Sequence, residues 1–472
     1  MMQRQPTHDS SVLAAAKVVH FVGIGGIGMS ALAELMLRRG KRVTGSDIKS
    51  SPLVERLTAL GARVNVGHSA AAVAGADLVV TTAAARPDNP ELVESRRRGI
   101  PTIKRAELLG WLMDEGYGVA IAGTHGKTTT TAMVAFLLHR AGLDPTALIG
   151  GEPLDFEAHG LLGRSSYLVA EADEFDRSFL WLWPKVAIVT SVEADHLDCY
   201  RDLSDIARAF TEFASRVPPD GLLVTQADDP VLRKMQVAVP RQSYGYSSSA
   251  DWRLLEVEPV VPFGTRFCFS APSGSVHEVT LRLSGQHYAL DALAAIAAAA
   301  HVGVEPERAA AIVADFSGTR RRFEMLGDVA GVTIVDDYAH HPTAARATLK
   351  AARERHRGRI WCVFQPHTSN RTEKLLGEFA RAFADADRVL LLPVYHPAGR
   401  EEGEGTSSGD LLSRMRHPGA RCVAGLAEAA AVLESEVTGG DLVITMGAGD
   451  VYKVGHHVLC RLRKKVASSS GK

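Results

Sequence analysis

No run of about 18 apolar residues occurs in the 472-residue chain, which excludes a membrane-spanning helix. Cysteine is sparse and scattered: Cys199, Cys268, Cys362, Cys422 and Cys460 form no CxxC pair. That odd set of five argues against a disulfide frame or a zinc site, and for a reducing, cytoplasmic compartment. Neither sign of charge is in excess. Lys and Arg number 53 against 54 Asp and Glu, so no global field recruits nucleic acid or an anionic membrane. Met1 to Ser11 lacks the apolar centre of a signal peptide, and the small polar tail from Ala467 to Lys472 reads as frayed. No short fixed-period repeat is present. What remains is an ordinary soluble composition, 46% hydrophobic and 23% charged, in a chain long enough for about two to four domains.

The most informative stretch is Gly123-Thr124-His125-Gly126-Lys127-Thr128-Thr129-Thr130-Thr131. An apolar run, Val119 to Ala122, precedes it, and an amphipathic run from Ala132 to Ala141 follows. Strand, glycine-rich turn and helix in that order make a phosphate-binding loop, because the turn's N–H groups and the helix N-terminus both face an anion. Lys127 is expected to reach the β- and γ-phosphates, and the Thr128 hydroxyl to ligate Mg²⁺. The strict pattern wants a further glycine at position 121, where this chain has Ile121. A bare turn with a solvated lysine would leave the four consecutive threonines unexplained.

Upstream, a strand from Lys17 to Val22 leads into Gly23-Ile24-Gly25-Gly26-Ile27-Gly28, then a helix from Ser30 to Arg39 and a second strand ending near Ser46-Asp47. This is GxGxxG in a β-α-β unit with an acidic residue about 20 positions on. Taken alone it suggests an NAD-dependent oxidoreductase; strictly, it reports only that a diphosphate can approach backbone N–H groups. Alternating elements at Leu53 to Leu60, Arg63 to Val66, Asp77 to Thr82 and Glu91 to Arg98 complete a small parallel α/β domain. A glycine-containing link, Glu115 to Gly118, leads into the phosphate-loop domain.

That domain carries apolar strands at Tyr167 to Ala170 and Val186 to Val189, followed by Glu171, Asp173 and Glu174, and by Glu193, Asp195 and His196. Open α/β sheets bind ligands at such strand ends, and carboxylates there suit Mg²⁺. From Asp220 to Leu283 the short alternating runs predict antiparallel structure on the edge of the same domain. Ser284 to Tyr288 then opens an alanine-rich helix through His301. A third segment begins near Thr319. Its strands, Val332 to Val335, Arg359 to Phe364, Arg388 to Leu392 and Asp441 to Thr445, again end in polar clusters with histidines and arginines suited to an anionic substrate. One domain for a diphosphate and one for a nucleoside triphosphate fit a ligase better than an oxidoreductase. A nucleotide-gated transport or binding ATPase would need a partner-facing element, and none is visible.

Seven segments occur in order: Gly25-Gly26-Ile27-Gly28-Met29-Ser30, Gly123 to Thr128, Glu171-Ala172-Asp173-Glu174, Glu193-Ala194-Asp195-His196-Leu197-Asp198, Arg321-Arg322-Phe323, Asp336-Asp337-Tyr338-Ala339-His340-His341-Pro342 and Phe364-Gln365-Pro366-His367. Together they resemble the Mur ligases, specifically the alanine-adding branch, over nearly the whole chain. The resemblance implies three α/β domains: a Rossmann-like UDP-sugar domain (1–114), a P-loop ATPase-type domain with an antiparallel edge (115–318) and a Rossmann-like ligase domain (319–472). It implies ATP-dependent ligation of L-alanine to UDP-N-acetylmuramate through an acyl phosphate, with ATP and Mg²⁺ as cofactors and a monomer or homodimer as the working form.

The same resemblance implies site residues. Gly25, Gly26, Ile27, Gly28, Met29, Ser30, Asp47, Thr82 and Ala83 would hold the UDP-sugar. Gly123, Thr124, His125, Gly126, Lys127, Thr128, Thr129, His287, Asp291, Arg322 and Asp337 would hold ATP. Thr128, Glu171 and His196 would ligate metal, and Lys127, Glu171, His196, His340 and Arg371 would be catalytic, while His341 is expected to be a packed turn residue. This sequence departs from the family at Thr368-Ser369, which leaves Arg371 as the loop's one cation, and at Asp291, where relatives carry Asn. An ionised Asp only accepts, so it would meet adenine less well than Asn unless it turned away to cap its own helix. No Lys follows His196 until Lys234, as expected of the alanine-adding branch. A second ligase, which attaches a preformed tripeptide to the same sugar nucleotide, shares most of these motifs, although Ser178-Phe179-Leu180-Trp181 favours the alanine enzyme.

Overall fold

The computed structural model describes residues 11–82, 85–156, 160–196, 199–396 and 405–469. Ala83, Leu197 and Asp198 lie outside the described residues. By internal contacts the chain forms two units, one of residues 1–192, 204–243 and 298–304, the other of residues 193–203, 244–297 and 305–472. Three sheets flanked by helices give a three-domain α/β architecture.

In the first unit, β1 (Val18–Val22), β2 (Arg42–Asp47), β3 (Arg63–Val66), β4 (Leu78–Thr81) and β5 (Thr102–Lys104) form a parallel sheet in the order β3-β2-β1-β4-β5. All five residues of β1 are buried, as a central parallel strand covered on both faces requires. The helix expected from Ser30 begins at Ile27 instead, directly on the glycine loop. Across the sheet, Glu91 is fully buried and accepts hydrogen bonds from Ser46 Oγ (2.6 Å), His20 Nε2 (3.2 Å) and the Ser69 N–H (3.2 Å). Burial pushes this carboxyl up, but the bonds from His20 and Ser46 outweigh it and hold the group below its ordinary value. The network pins the end of β2, from which Asp47 projects.

The second sheet of this unit contains β6 (Tyr117–Ala122), β7 (Thr146–Leu148), β8 (Gly160–Leu161), β9 (Tyr167–Glu171), β10 (Val186–Val189), β11 (Leu222–Gln226) and β12 (Arg241–Gly245). Their order is β8-β7-β9-β6-β10-β11-β12. The pairs β7·β9, β9·β6, β6·β10 and β10·β11 are parallel, so Leu222 to Gln226 corrects the expectation of antiparallel structure from Asp220 onward. Apart from β7 and β8, which pair antiparallel, antiparallel pairing starts only later. The phosphate-loop helix runs Lys127–Arg140 and is buried from Thr128 to Leu138, so the expected amphipathic helix from Ala132 in fact begins five residues earlier and is enclosed on all sides. The link expected at Glu115 to Gly118 is taut: the helix Arg105–Asp114 ends and β6 begins at Tyr117.

Within the second unit, the last two residues of β12 pair with β13 (Trp252–Pro259), and β13, β14 (Thr265–Ser270) and β15 (Val276–Leu281) form an antiparallel meander. The alanine-rich helix Gln286–His301 follows. The last sheet has the order β16-β17-β21-β18-β19-β20, made of β16 (Glu324–Val329), β17 (Val332–Asp337), β18 (Ile360–Phe364), β19 (Arg388–Leu391), β20 (Ala420–Cys422) and β21 (Leu442–Met446). Only β16, which the sequence did not reveal, is antiparallel. Ile334, Trp361, Val363, Leu390, Val443 and Val454 fill the core beneath the strand ends.

One segment of the first unit is held against its own backbone preference. Asp176 and Arg177, both with φ 53°, are consecutive non-glycine residues in the left-handed region, at a cost of about 1–3 kcal/mol each. Phe179 anchors them: it is fully buried, stacked on Phe213 at 5.1 Å and edge-on to Phe210 at 5.0 Å. Phe179→Ala is expected to destabilise this unit by about 3–5 kcal/mol, read as a lowered denaturant midpoint at unchanged slope.

Candidate functional site

The phosphate loop is built on close approach. Gly123 has φ +135°, and a Cβ there would lie 2.0 Å from Thr190 Oγ1, so only glycine fits. The loop is tied to the end of β10: the Thr124 N–H donates to Ser191 O (2.9 Å), the His125 N–H to Ser191 Oγ (3.1 Å), and the Thr190 hydroxyl to His125 O. Gly126, left-handed at φ 80°, stands at the N-cap without a side-chain acceptor, so the first N–H groups of the helix Lys127–Arg140 point along its axis toward the loop. This cradle fits an oligophosphate, and Thr190 and Ser191 are its supports, which sequence reasoning did not single out.

Lys127 Nζ donates to Gly123 O (2.6 Å) and to both oxygens of Glu174 (2.9 and 2.7 Å). The pair is nearly enclosed, with side chains 16% and 4% exposed. Burial opposes the charge on Lys127, but Glu174, with Asp173 and Glu171 behind it, holds the ammonium above its ordinary value. Glu174 was noted in the sequence only as part of a motif; its pairing with Lys127 needed coordinates. Glu171 ends β9 and accepts the Gly150 N–H at 2.6 Å. A threonine hydroxyl and carboxylates are the hard oxygen donors that Mg²⁺ prefers. Thr128 and Glu171 belong to the first unit and His196 to the second.

On the first sheet, the Gly25 N–H donates to Asp47 Oδ2 at 2.8 Å, and the N–H groups of Gly23 and Ile24 donate to Ser46 O. Asp47 is therefore part of the loop's own frame. The side chains of Met29 and Ser30 are buried, and Ser30 Oγ donates to Ile27 O at 2.9 Å, so a ligand would meet these two residues through their backbone. Thr82 lies beside the loop, its Cγ2 3.2 Å from where a Gly23 Cβ would sit. Ala83 is outside the described residues.

In the second unit the polar groups converge at the ends of β17, β18 and β21. Asp336 accepts from Arg321 Nε (3.0 Å) and from the Thr445 hydroxyl, and Arg321 also reaches Gly447 O (2.6 Å). Asp337 accepts the N–H groups of Ala339 (2.7 Å) and Phe323 (2.8 Å). Burial outweighs those bonds and the Arg322 charge, raising its carboxyl to about 6. Arg322 stacks on Tyr338, 5.0 Å from the ring centre. His340 Nδ1 donates to Tyr338 O (3.0 Å), while burial and the Arg371 charge hold the ring well below its ordinary pKa. The imidazole is thus neutral, with Nε2 carrying the lone pair. His341 Nδ1 accepts the Thr343 N–H and caps the helix Pro342–Arg355, the packed role expected of it.

Arg371 donates from Nε and Nη2 to Asp195 Oδ1 (3.1 and 2.9 Å), and its Nη1 lies 3.2 Å from His367 Nδ1. Burial pushes Asp195 up, but the guanidinium prevails and holds it well below the carboxylate range. His196 follows Asp195 at φ +49°, and Thr368, one of the departures noted in the sequence, sits at φ +64° as the cap of the short helix Ser369–Lys374. The rings of His287 and Tyr288 pack at a tilt with centres 4.1 Å apart, and burial together with Arg355 and Arg322 lowers the histidine to about 4. Asp291 is buried in the second turn of its helix, so it does not occupy a capping position.

Three sequence profiles match in succession: Mur ligase family, catalytic domain, over residues 18–117; Mur ligase middle domain over 121–299; and Mur ligase, glutamate ligase domain, over 321–449. The chain is 45% identical to a UDP-N-acetylmuramate–L-alanine ligase of Anaeromyxobacter sp. (strain Fw109-5), covering 93% of this chain and 97% of that one. It is 43% identical to the enzyme of that name from Geobacter sp. (strain M21), covering 94% and 97%. Among solved structures, it superposes on the UDP-N-acetylmuramate-alanine ligase of Thermotoga maritima with a TM-score of 0.79, at 30% identity over 95% of this chain and all of that one. A murein peptide ligase of Psychrobacter arcticus gives 0.71, at 27% identity over 94% and 98%.

Because Glu174 occupies the ammonium that a terminal phosphate would meet, Glu174→Gln is expected to tighten ATP binding several-fold, about 3- to 10-fold by calorimetry. Weaker binding would show that Glu174 helps to hold the nucleotide. Stability should also report Asp337. Its folded pKa of about 6 exceeds the ordinary 3.8, so the native state keeps a proton that the unfolded chain releases between those values. Its stabilising contribution is full below pH 4 and lost as pH rises through 6, about 3 kcal/mol in all. His287, lowered to about 4, acts in the opposite direction over pH 6.5 to 4. The test is therefore the difference between wild type and Asp337→Asn, which should change by that amount between pH 4 and 7.

Proposed function

Since the chain belongs to the Mur ligase family, we infer that it joins L-alanine to the carboxylate of UDP-N-acetylmuramate, converting ATP to ADP and phosphate, in peptidoglycan synthesis. The observation that carries this reading is 45% identity, over nearly the full length of both chains, to an enzyme of that name. The higher structural similarity to an alanine ligase than to a murein peptide ligase supports the alanine reading over attachment of a preformed tripeptide. It also replaces the oxidoreductase reading of the first glycine loop.

The assignment of parts is our proposal. Residues 1–114 bind the UDP-sugar, 115–318 bind ATP, and 319–472 supply the ligase groups. The loop Gly123 to Thr129 cradles the phosphates and Lys127 neutralises charge on the transferring phosphoryl group. His287, Asp291, Arg322 and Asp337 complete the nucleotide site. Thr128, Glu171 and His196 hold Mg²⁺, which when bound adds to that neutralisation. The muramyl carboxylate attacks the γ-phosphorus and ADP leaves; the amine of alanine then attacks the acyl carbon of the acyl phosphate, and phosphate leaves. Neutral His340 offers Nε2 as a hydrogen-bond acceptor to the amine. Asp195 fixes the fork of Arg371, and of its five N–H groups three are engaged, which leaves two for an anionic group of the substrate. The compartment is the cytoplasm, and the working form a monomer or homodimer.

ADP release should require UDP-N-acetylmuramate and L-alanine together, and L-alanine should serve better than a tripeptide supplied singly. Lys127→Ala and Glu171→Ala should each lower kcat by about 10²–10³-fold. The calorimetric Kd for UDP-N-acetylmuramate should stay within about twofold of wild type, because that ligand meets a different sheet. A collapse of UDP-sugar affinity in either variant would overturn the assignment of parts.

A further inference from the structure

The first glycine loop has a cation that its sequence motif does not include. Arg105 opens the helix Arg105–Asp114, on the strand–helix turn after β5. Its Nη1 lies 2.8 Å, its Cδ 3.3 Å and its Cζ 3.4 Å from the position a Cβ on Gly28 would take. The guanidinium therefore rests against the third glycine of GxGxxG, where the helix Ile27–Arg38 begins and the N–H groups of Ile27, Gly28 and Met29 have no intrahelical acceptors. Arg105 is half-buried, and among the described residues no carboxylate, carbonyl or hydroxyl pairs with it. Its neighbour Lys104, by contrast, is paired with Asp176 at 2.6 Å.

The loop needs this charge. Asp47 brings a carboxylate to the Gly25 N–H, consuming one donor and placing a negative charge at that end of the loop. A diphosphate arriving here would meet that charge with fewer N–H groups than an open cradle offers. A guanidinium at the Gly28 end restores the balance and presents the planar fork that suits phosphate oxygens. We propose that Arg105 is a diphosphate-binding residue of the sugar-nucleotide site, acting with the N-terminal N–H groups of the helix Ile27–Arg38.

This proposal rests on the reading of the first sheet as the UDP-sugar site, and the test separates the two. Calorimetry with UDP, and with uridine, which lacks the phosphates, would be run on the full chain as wild type, Arg105→Met and Arg105→Lys. Wild type is expected to bind UDP. Arg105→Met should weaken UDP about 30-fold and uridine less than about twofold, and Arg105→Lys should fall between, since it keeps the charge and loses the fork. If Arg105→Met does not fold, Arg105→Lys alone decides, by the same contrast between UDP and uridine. UDP affinity equal to wild type in the substituted chain, or equal losses for UDP and uridine, overturns the role of Arg105 and leaves the UDP-sugar site standing. Wild type that binds neither UDP nor UDP-N-acetylmuramate overturns both.

Discussion

An ammonium buried at a phosphate loop cannot be left without an anion. Removing its water is costly by several kcal/mol, and the chain meets this with a carboxylate of its own, Glu174, on Lys127. Much of the first unit follows from that requirement. Glu174 must come from a strand end beside β6, so β9 is its neighbour in the sheet. The segment after it turns back sharply enough to force Asp176 and Arg177 into the left-handed region, and Phe179, locked between Phe210 and Phe213, offsets that strain. The same solution recurs at two other places. Asp47 meets the Gly25 N–H on the first sheet, and within the second unit Asp195 meets Arg371. At each of these places the donors are held by anions that the chain already carries.

Much of this was legible in the sequence because the signals are local. Val186 to Val189 is an uninterrupted apolar run and Val18 to Val22 is broken only by His20, as suits covered parallel strands, and each is found where it was expected. Glycine at 123 and 126 beside Lys127 marks a backbone turn whose chemistry does not depend on distant residues. The helix after it was misjudged because four threonines look polar; buried behind the loop, they extend the helix back to Lys127. Leu222 to Gln226 was misread because a short strand carries no mark of its partner's direction.

The rest was illegible because it depends on pairs far apart in the chain. Nothing local tells that Thr190 stands over Gly123, that Asp337 accepts from Phe323, or that burial and the charge of Arg371 keep His340 neutral. Backbone strain is equally silent. Arg321, Phe323 and Thr368 all have positive φ without being glycine, and all belong to segments whose neighbouring side chains are fixed by ion pairs or buried carboxylates. Asp291 was recognised as unusual, but whether it could cap a helix depended on where that helix begins.

The stretch between the helix Arg105–Asp114 and β6 resembles a hinge on paper and offers a protease almost nothing. A Cβ on Gly116 would fall 2.3 Å from Ser166 O, one on Gly118 2.1 Å from Met113 Cγ, and one on Gly110 2.2 Å from Trp181 O. To be cut, a chain must be drawn out into an enzyme's cleft over several residues, and here two residues separate the elements, Gly116 lying against Ser166 O and Glu115 paired with Arg39. The segment that ends at Asp114 and the segment that begins with β6 therefore cannot be cut apart in the native state without first breaking contacts that belong to both. A gene truncated at that point would yield a fragment with raw apolar faces instead of a free-standing module.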